Sequence, residues 1–303
     1  MMLQAALAAA LTALASAADP AGGWMAYAVG QVPAGVTRIT KLEMTWVVSG
    51  GAADPIHGNA FYSPWFGMDP ADNLNLIQPV NPWSGRAWSM YTEYFQWSPE
   101  DNRNSHQVAV KSGQSLKGSL TYMPLVDSYN LTQQVVETGA TSSQIVKCQS
   151  GKKYTLPYVV YEKVFPCSNQ RTATATNQSP RTANHSAVTR RLSSLSFIWT
   201  TFLLTWLCLP AEMYPPEEKV TFTDIVAECD GKDCTSTIVW TPMVKDANCG
   251  MAAHIAAGGE EISITWSTKQ ASKYDNMTDA ELYDLNMHGA WAQKLQLERP
   301  LEA

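Results

Sequence analysis

Six cysteines are the residues of this chain that could most directly do chemistry, and two of them are close together. In the segment ECDGKDC, Cys229 and Cys234 flank a polar Asp-Gly-Lys-Asp loop. Such a loop can reverse the chain, so that the two thiols face each other across a hairpin and pair. A zinc site would need more Cys or His ligands at close spacing. The spacing therefore predicts a Cys229–Cys234 disulfide.

The five histidines are dispersed along the chain. His57, His106 and His254 could each be a single metal ligand, but a lone histidine on a loop is more often solvated or hydrogen-bonded. The sequence has no His-Glu-x-x-His pair, no Gly-x-Ser-x-Gly elbow and no Gly-rich phosphate loop. The commonest zinc-protease, serine-hydrolase and nucleotide-binding classes are thereby excluded.

The composition is that of a globular, turn-rich protein. The 303 residues carry a net charge of -6, only 16% are charged, and 18 Gly and 17 Pro supply turns. The basic residues are scattered, whereas phosphate binding needs a clustered Lys/Arg surface. A nucleic-acid partner is therefore not expected.

Alternating apolar residues predict the elements that would position any site. The segment KLEMTWVV places Leu42, Met44, Trp46 and Val48 on one face, as expected for a half-buried strand. The same period recurs in LKGSLTY, YTLPYVVYE and EISITW, between turn-rich stretches. Many such strands predict an all-β, antiparallel sandwich. A capping box at residues 278–281 predicts one short C-terminal helix within residues 276–303.

The N-terminus has the features of an export signal. A short apolar run precedes the small residues Ala15-Ser16-Ala17, which is the spacing that signal peptidase reads. An Ala-rich helix is the alternative. Glycosylation sequons at Asn130 and Asn276 also fit export. We expect residues 1–18 to be a signal peptide and the protein to be secreted.

Two stretches resemble the glutamic peptidases (eqolisins). In FYSPWFGMDPADNLNLIQPV, Trp65, Gly67 and Asp69 are followed by Leu76-Ile77-Gln78, similar to the segment that leads to that family's catalytic glutamine. Downstream, YVVYEK and then KVTFTDI resemble the strand that carries the catalytic glutamate, which places Glu162 there. The similarity covers residues 39–170 and 214–266.

The resemblance implies a concanavalin-like β-sandwich (jelly roll) and an acid endopeptidase whose catalytic residues are Gln78 and Glu162. A carboxylate can act as general base toward water, and a carboxamide can donate to the developing oxyanion. That chemistry requires no metal and no cofactor. Candidate substrate-binding residues on the same cleft are Trp65, Asp69, Tyr91 and Trp97.

Two other functions stay open. The same aromatic-rich sheet would suit a non-catalytic module that binds an oligosaccharide or an extended peptide. A membrane-tethered surface protein would follow if the apolar run within residues 190–212 crossed a bilayer, but such a span would separate strands of one sheet, so a membrane partner is not expected.

The domain boundaries follow from the resemblance, which stops at residue 170 and resumes at residue 214. We expect a single sandwich domain formed by residues 19–170 and 214–275. Residues 171–213 are then an insertion, polar and disordered in its first half and apolar in its second, which is either a translated retained intron or a tolerated surface excursion.

Overall fold

The computed structural model describes residues 23–51, 61–72, 75–84, 87–163, 214–245 and 247–267. The expected signal peptide, the insertion at 171–213, the C-terminal helix, His57 and the sequon at Asn276 lie outside these ranges. They stay predictions.

Within the described residues nearly all of the regular secondary structure is β-strand. The strands are β1 (Trp24–Gln31), β2 (Ile39–Val47), β3 (Phe61–Pro70), β4 (Asn75–Val80), β5 (Trp83–Ser84), β6 (Trp88–Trp97), β7 (Glu100–Asn104), β8 (Val108–Val110), β9 (Ser115–Met123), β10 (Ser128–Val135), β11 (Thr141–Lys147), β12 (Tyr154–Lys163), β13 (Lys219–Cys229), β14 (Lys232–Asp233), β15 (Val239–Val244), β16 (Ala252–Ile255) and β17 (Ile262–Thr265). Short 3-10 helices lie at Thr235–Thr237, Asn248–Gly250 and Ala257–Gly259. None of the described helices is long and apolar enough to cross a membrane.

These strands form two antiparallel sheets. The first has the order β15-β1-β12-β3-β4-β6-β5, with β7 and β8 also paired to β6. The second has the order β11-β10-β9-β2-β13-β17-β16, with β14 paired to β13. The predicted all-β antiparallel sandwich is therefore confirmed.

The predicted alternation is seen directly in β2. Leu42, Met44 and Trp46 are buried, while the residues between them are only partly buried. Apolar side chains from both sheets meet in one core. The Trp46 ring lies 5.9 Å from the Phe66 ring of the first sheet and 5.4 Å from the Phe222 ring of the second, between centroids.

The first sheet is also apolar on its other face. Since side chains alternate along a strand, the neighbours of the core residues point away from the second sheet. There they form a second cluster, here called the outer cluster: Trp24, Tyr27, Trp65, Leu76, Val80, Tyr158 and Val160. This sheet therefore buries side chains on both faces.

The predicted disulfide is present and sits beside a two-residue hairpin. Cys229 and Cys234 are bonded, with their Cα atoms 5.7 Å apart. Asp230 and Gly231 make the turn with φ of 50° and 78°, a conformation that an Asp-Gly pair adopts readily. Cys229 is opposite Lys232 in the strand register, so the bond joins the end of β13 to the residue just after β14.

The sequon asparagine Asn130 lies on β10 and is partly buried, opposite Thr121 of β9. Its glycosylation stays a prediction. The thiol of Cys148 is free, and burial raises its pKa to about 11.

The two sheets approach each other closely at Gly118 of β9. A Cβ atom at this position would lie 2.6 Å from Phe66 Cε1 and 2.8 Å from Pro79 Cγ, both in the opposite sheet. We expect Gly118→Ala to lower the free energy of unfolding by about 1–3 kcal/mol, because overpacking forces these side chains apart. Urea denaturation measures this. The neighbouring exposed Lys117→Ala should change it by less than about 0.5 kcal/mol, and equal effects of the two substitutions would contradict this packing.

Candidate active site

All six of the sequence-predicted catalytic and substrate-binding residues lie on the outer face of the first sheet. Trp65 and Asp69 share this face on β3, Gln78 shares it with Leu76 and Val80 on β4, and Tyr91 and Trp97 share it on β6. Glu162 has the same parity on β12 as Tyr158 and Val160. The alternation of four adjacent strands, β12, β3, β4 and β6, is what brings these residues together.

The strand register places Gln78 and Glu162 in different cross-strand rows. Gln78 is opposite Glu93 of β6, and the pairing of β3 with β4 places it beside Gly67. Glu162 is opposite Trp24 of β1 and Ser63 of β3. The two halves of the face are nevertheless in electrostatic range of each other, since the charge of Glu93, the partner of Gln78, raises the pKa of Glu162. The two residues share a face, and each has its own hydrogen-bond partner.

The partner of Gln78 is Glu93. The Gln78 side chain is 5% exposed, and its Nε2 donates to Glu93 Oε2 at 2.7 Å. Its Oε1 is buried and accepts no hydrogen bond from the described part of the chain. Gly67 makes room for it, since a Cβ there would lie 3.1 Å from Gln78 Cβ and 2.6 Å from the Ile77 carbonyl oxygen.

Glu93 was missed by the sequence reasoning. It is partly buried on β6 between Tyr91 and Phe95 of the same face. Burial raises its pKa, while hydrogen bonds donated by Gln78 and Asn102 act in the opposite direction. The sequence did contain a signal for Glu93. In YTEYFQW it is the one charged residue, and the period of two places it on the same face as Tyr91, Phe95 and Trp97.

The partner of Glu162 is Trp65. The Trp65 indole Nε1 donates to Glu162 Oε2 at 2.9 Å. The Glu162 residue is partly exposed, yet the protein surrounds its carboxyl closely enough that desolvation raises its pKa to about 7. The Trp65 hydrogen bond opposes this rise, and the charge of Glu93 adds to it. Glu162 is therefore a neutral carboxylic acid through the acid range.

Aromatic rings surround both carboxyls. Trp24 lies edge-on to Trp65 and Tyr158, at 4.8 Å and 5.2 Å between ring centroids. Burial raises the pKa of Tyr91, and the charges of Glu93 and Glu162 raise it further. Tyr91 thus lies within electrostatic range of both carboxyls, and its phenol stays neutral.

The four predicted substrate-binding residues divide into two pairs. Tyr91 and Trp97 are partly exposed and could contact a ligand. Trp65 is 0% and Asp69 1% exposed. Burial raises the pKa of Asp69 well above its usual range, with the charge of Asp72 adding to the effect. Trp65 and Asp69 are positioned to support the site from within the sheet.

In the part of the chain that the structure describes, no group of three or more His, Cys, Asp or Glu residues could hold a metal ion. His254 lies on β16, where its Nε2 is 3.2 Å from Thr265 Oγ1. His106 lies between β7 and β8. Neither histidine belongs to the face that carries Gln78 and Glu162.

Comparison with solved structures identifies the class of fold, which is that of the glutamic peptidases. Scytalido-glutamic peptidase with a transition-state analog inhibitor aligns at a TM-score of 0.51 and 17% identity, over 81% of this chain and 98% of that one. The same peptidase with a peptide-based transition-state analog aligns at a TM-score of 0.50 and 17% identity, over 80% and 98%. At this identity the likeness shows the fold alone. No protein-family model matches the chain. No curated protein matches its sequence.

The raised pKa of Glu162 predicts a measurable effect of pH on stability. A folded-state pKa above the ordinary value stabilises the protein at low pH, and this contribution is lost as pH rises through about 7. We expect the loss between about pH 4 and pH 8 to be up to roughly 3 kcal/mol for this group. Glu162→Gln should remove that part of the loss in urea denaturation.

The matched control is Glu43→Gln on the second sheet. Burial raises the pKa of Glu43, but hydrogen bonds from Ser119 and Lys41 and the charge of Lys117 outweigh it, so the pKa is lowered. This control should leave the loss of stability at high pH in place. An identical pH dependence in wild type and Glu162→Gln would show that the Glu162 carboxyl is not desolvated.

Proposed function

We propose that this chain is a glutamic-peptidase-like hydrolase that cleaves peptide bonds of polypeptides in the acid range, on the outer face of the first sheet. One observation carries the proposal: a neutral desolvated carboxyl, Glu162, shares one face with the carboxamide of Gln78 and its partner Glu93. The fold shared with a glutamic peptidase supports the same reaction class. One fold can host many activities, and it is the residues of the site that favour hydrolysis.

The pKa of Glu162 changes the role expected for it. The general base that the resemblance implies must be an ionised carboxylate. With a pKa of about 7, Glu162 is protonated in acid and can instead donate a proton to the leaving amine. The hydrogen bond from the Trp65 indole Nε1 holds the Glu162 carboxyl in position.

Gln78 supplies the hydrogen bond to the oxyanion. A carboxamide nitrogen carries two hydrogens, and one of them is directed to Glu93. The other is available to a developing negative charge on the substrate carbonyl oxygen. Because the side chain is 5% exposed, such a donor acts in a low-dielectric environment, where its effect on the transition state is larger than in water.

Tyr91 and Trp97 are the proposed contacts for the substrate. Both are partly exposed, and Trp97 is braced edge-on by Phe95, with 4.5 Å between ring centroids. An extended polypeptide lying across β6 would bury its side chains against these rings. The rival function is a non-catalytic module that uses the same rings to bind an oligosaccharide or a peptide.

We also propose that the protein is secreted. The support is the small-x-small spacing at Ala15-Ser16-Ala17 and the Cys229–Cys234 disulfide. Disulfides persist mainly in oxidising compartments.

The test is cleavage of an unfolded protein from about pH 3 to about pH 8. We expect Glu162→Gln and Gln78→Ala each to lower kcat on the order of a hundredfold or more, through loss of the proton donor and of the oxyanion donor. Wild-type activity should decline as pH rises through about 7, where Glu162 loses its proton. The double variant should be scarcely worse than the poorer single one.

The control variant Glu43→Gln should keep full activity, since Glu43 lies on the other sheet. A wild-type chain that cleaves nothing at any of these pH values, yet binds an oligosaccharide or peptide through Tyr91 or Trp97, would replace the peptidase with the binding module.

A further inference from the structure

The row of β10 that faces the core of the sandwich contains one carboxamide. Tyr129, Leu131 and Val135 of this row are buried core residues, and Gln133 lies among them with 0% of its surface exposed. A buried carboxamide lowers stability unless its polar atoms are hydrogen-bonded. A glutamine at a position where the alternation calls for an apolar residue therefore indicates a specific task for its polar group.

The hydrogen-bond acceptors of Gln133 belong to the opposite sheet. Its amide nitrogen donates to the carbonyl oxygen of Tyr91 at 2.9 Å and to that of Val80 at 3.1 Å. The nitrogen is the atom that faces them, because the amide oxygen would place three acceptors together. Val80 and Tyr91 are opposite each other in the register of β4 and β6. Gln133 thus bridges these two strands beside Gln78 and Glu93, the next pair whose side chains share the outer face.

A second carboxamide, on the neighbouring β11, binds the following residue of β6. Gln144 Nε2 donates to the Thr92 carbonyl oxygen at 2.8 Å and to a carbonyl oxygen of β7 at 3.0 Å. The Thr92 N–H donates to Ser105 Oγ at 2.8 Å, and this hydroxyl lies 2.7 Å from Ser142 Oγ of β11. The second sheet therefore holds the backbone of β6 at the two residues that precede Glu93.

We propose that Gln133, together with Gln144, is a positioning residue of the candidate active site. It fixes β4 against β6 from the inner side of the first sheet and thereby holds Gln78 and Tyr91 in place. Neither glutamine lies on the face that carries the site, since Gln133 is in the core row of β10 and Gln144 is opposite the core residue Leu131. The proposal rests on the proposed hydrolysis and deepens it.

Hydrogen bonds suit this task better than apolar contacts do. Apolar burial is non-directional, so packing alone leaves two sheets free to slide by small amounts. A hydrogen bond limits both the distance and the angle of its acceptor. A side chain that takes part in a reaction must be held to within about 0.5 Å of its working position. Gln78 and Val80 lie on the same short strand, so a bond to the Val80 carbonyl also limits the movement of Gln78.

The decisive variant is Gln133→Met, assayed in the full chain against an unfolded protein. Methionine has nearly the same length and shape but cannot donate a hydrogen bond. We expect kcat to fall about tenfold or more, because small displacements of a reacting group are costly. The decline of activity through about pH 7 should stay in place, since the Glu162–Trp65 pair lies on β12 and β3, on the other face of the sheet.

Gln144→Met is the second variant, and it applies also if Gln133→Met does not fold. Gln144 is only partly buried, so its replacement should leave the fold intact. It should lower kcat by a smaller factor than Gln133→Met, because one of the two contacts with β6 remains. An unchanged kcat in Gln144→Met would remove Gln144 from the proposal.

Two controls on β10 separate positioning from stability. Leu131→Ala removes a buried side chain from the same row as Gln133. It should lower the midpoint of urea denaturation at least as much as Gln133→Met does, while kcat of the folded protein stays that of wild type. Gln134→Met alters an exposed neighbour whose Nε2 donates to Thr141 Oγ1 within the second sheet. This variant should change neither kcat nor the midpoint.

A measurement without substrate tests the positioning directly. The side-chain amide resonances of Gln78, observed by NMR, report the geometry of its hydrogen bond to Glu93. They should shift in Gln133→Met and stay in place in Leu131→Ala and Gln134→Met.

The outcomes distinguish the two proposals. A wild-type chain that cleaves, with kcat and the Gln78 resonances unchanged in Gln133→Met, overturns the role of Gln133 and leaves the peptidase intact. A loss of kcat in Gln133→Met that Leu131→Ala reproduces would make Gln133 a residue of stability alone, which also overturns it. A wild-type chain without hydrolysis overturns the peptidase, and the Gln78 resonances then decide whether Gln133 positions Gln78.

Discussion

The first sheet is apolar on both faces, and the chemistry of the site depends on that constraint. The central strand β4 is buried at every one of its six positions, because its inner face meets the core of the sandwich and its outer face meets the outer cluster. A polar side chain on such a strand has little water around it. It must be hydrogen-bonded by another side chain, and any charge on it is opposed by desolvation.

In both halves of the candidate site, the Gln78–Glu93 pair and the Glu162–Trp65 pair, a buried polar group is hydrogen-bonded by another side chain. Gln78 directs its nitrogen to Glu93, and the carboxyl of Glu162 receives the indole N–H of Trp65. The carboxyl of Glu93 receives hydrogen bonds from Gln78 and Asn102. The carboxyl of Glu162 receives one, from Trp65, and lies among aromatic rings. The same burial that closes the sheet therefore raises the pKa of both carboxyls.

Much of the fold could be predicted from the sequence, because it depends on local periodicity. Alternation in β2, β9, β12 and β17 indicated strands and a sandwich, and the Cys229–Cys234 spacing indicated the disulfide. The resemblance, not the periodicity, implied that Gln78 and Glu162 line one cleft, and parity placed Glu162 only with its strand neighbours Tyr158 and Val160. What parity does not contain is strand order: only the arrangement β12-β3-β4-β6 shows that Gln78 is opposite Glu93 and that Glu162 is in another row. The burial of Trp65 and Asp69 likewise depends on neighbouring strands that no short segment specifies.

The sheet order also determines when the sandwich can close. The first strand, β1, lies between β12 and β15, and β2 lies between β9 and β13. Three of these four neighbours come from the second half of the chain. During synthesis both early strands therefore have unpaired edges until residues beyond 214 are available, so this topology has high contact order. The sheet that carries Gln78 and Glu162 can consequently be completed only after β15, which ends at Val244, is available.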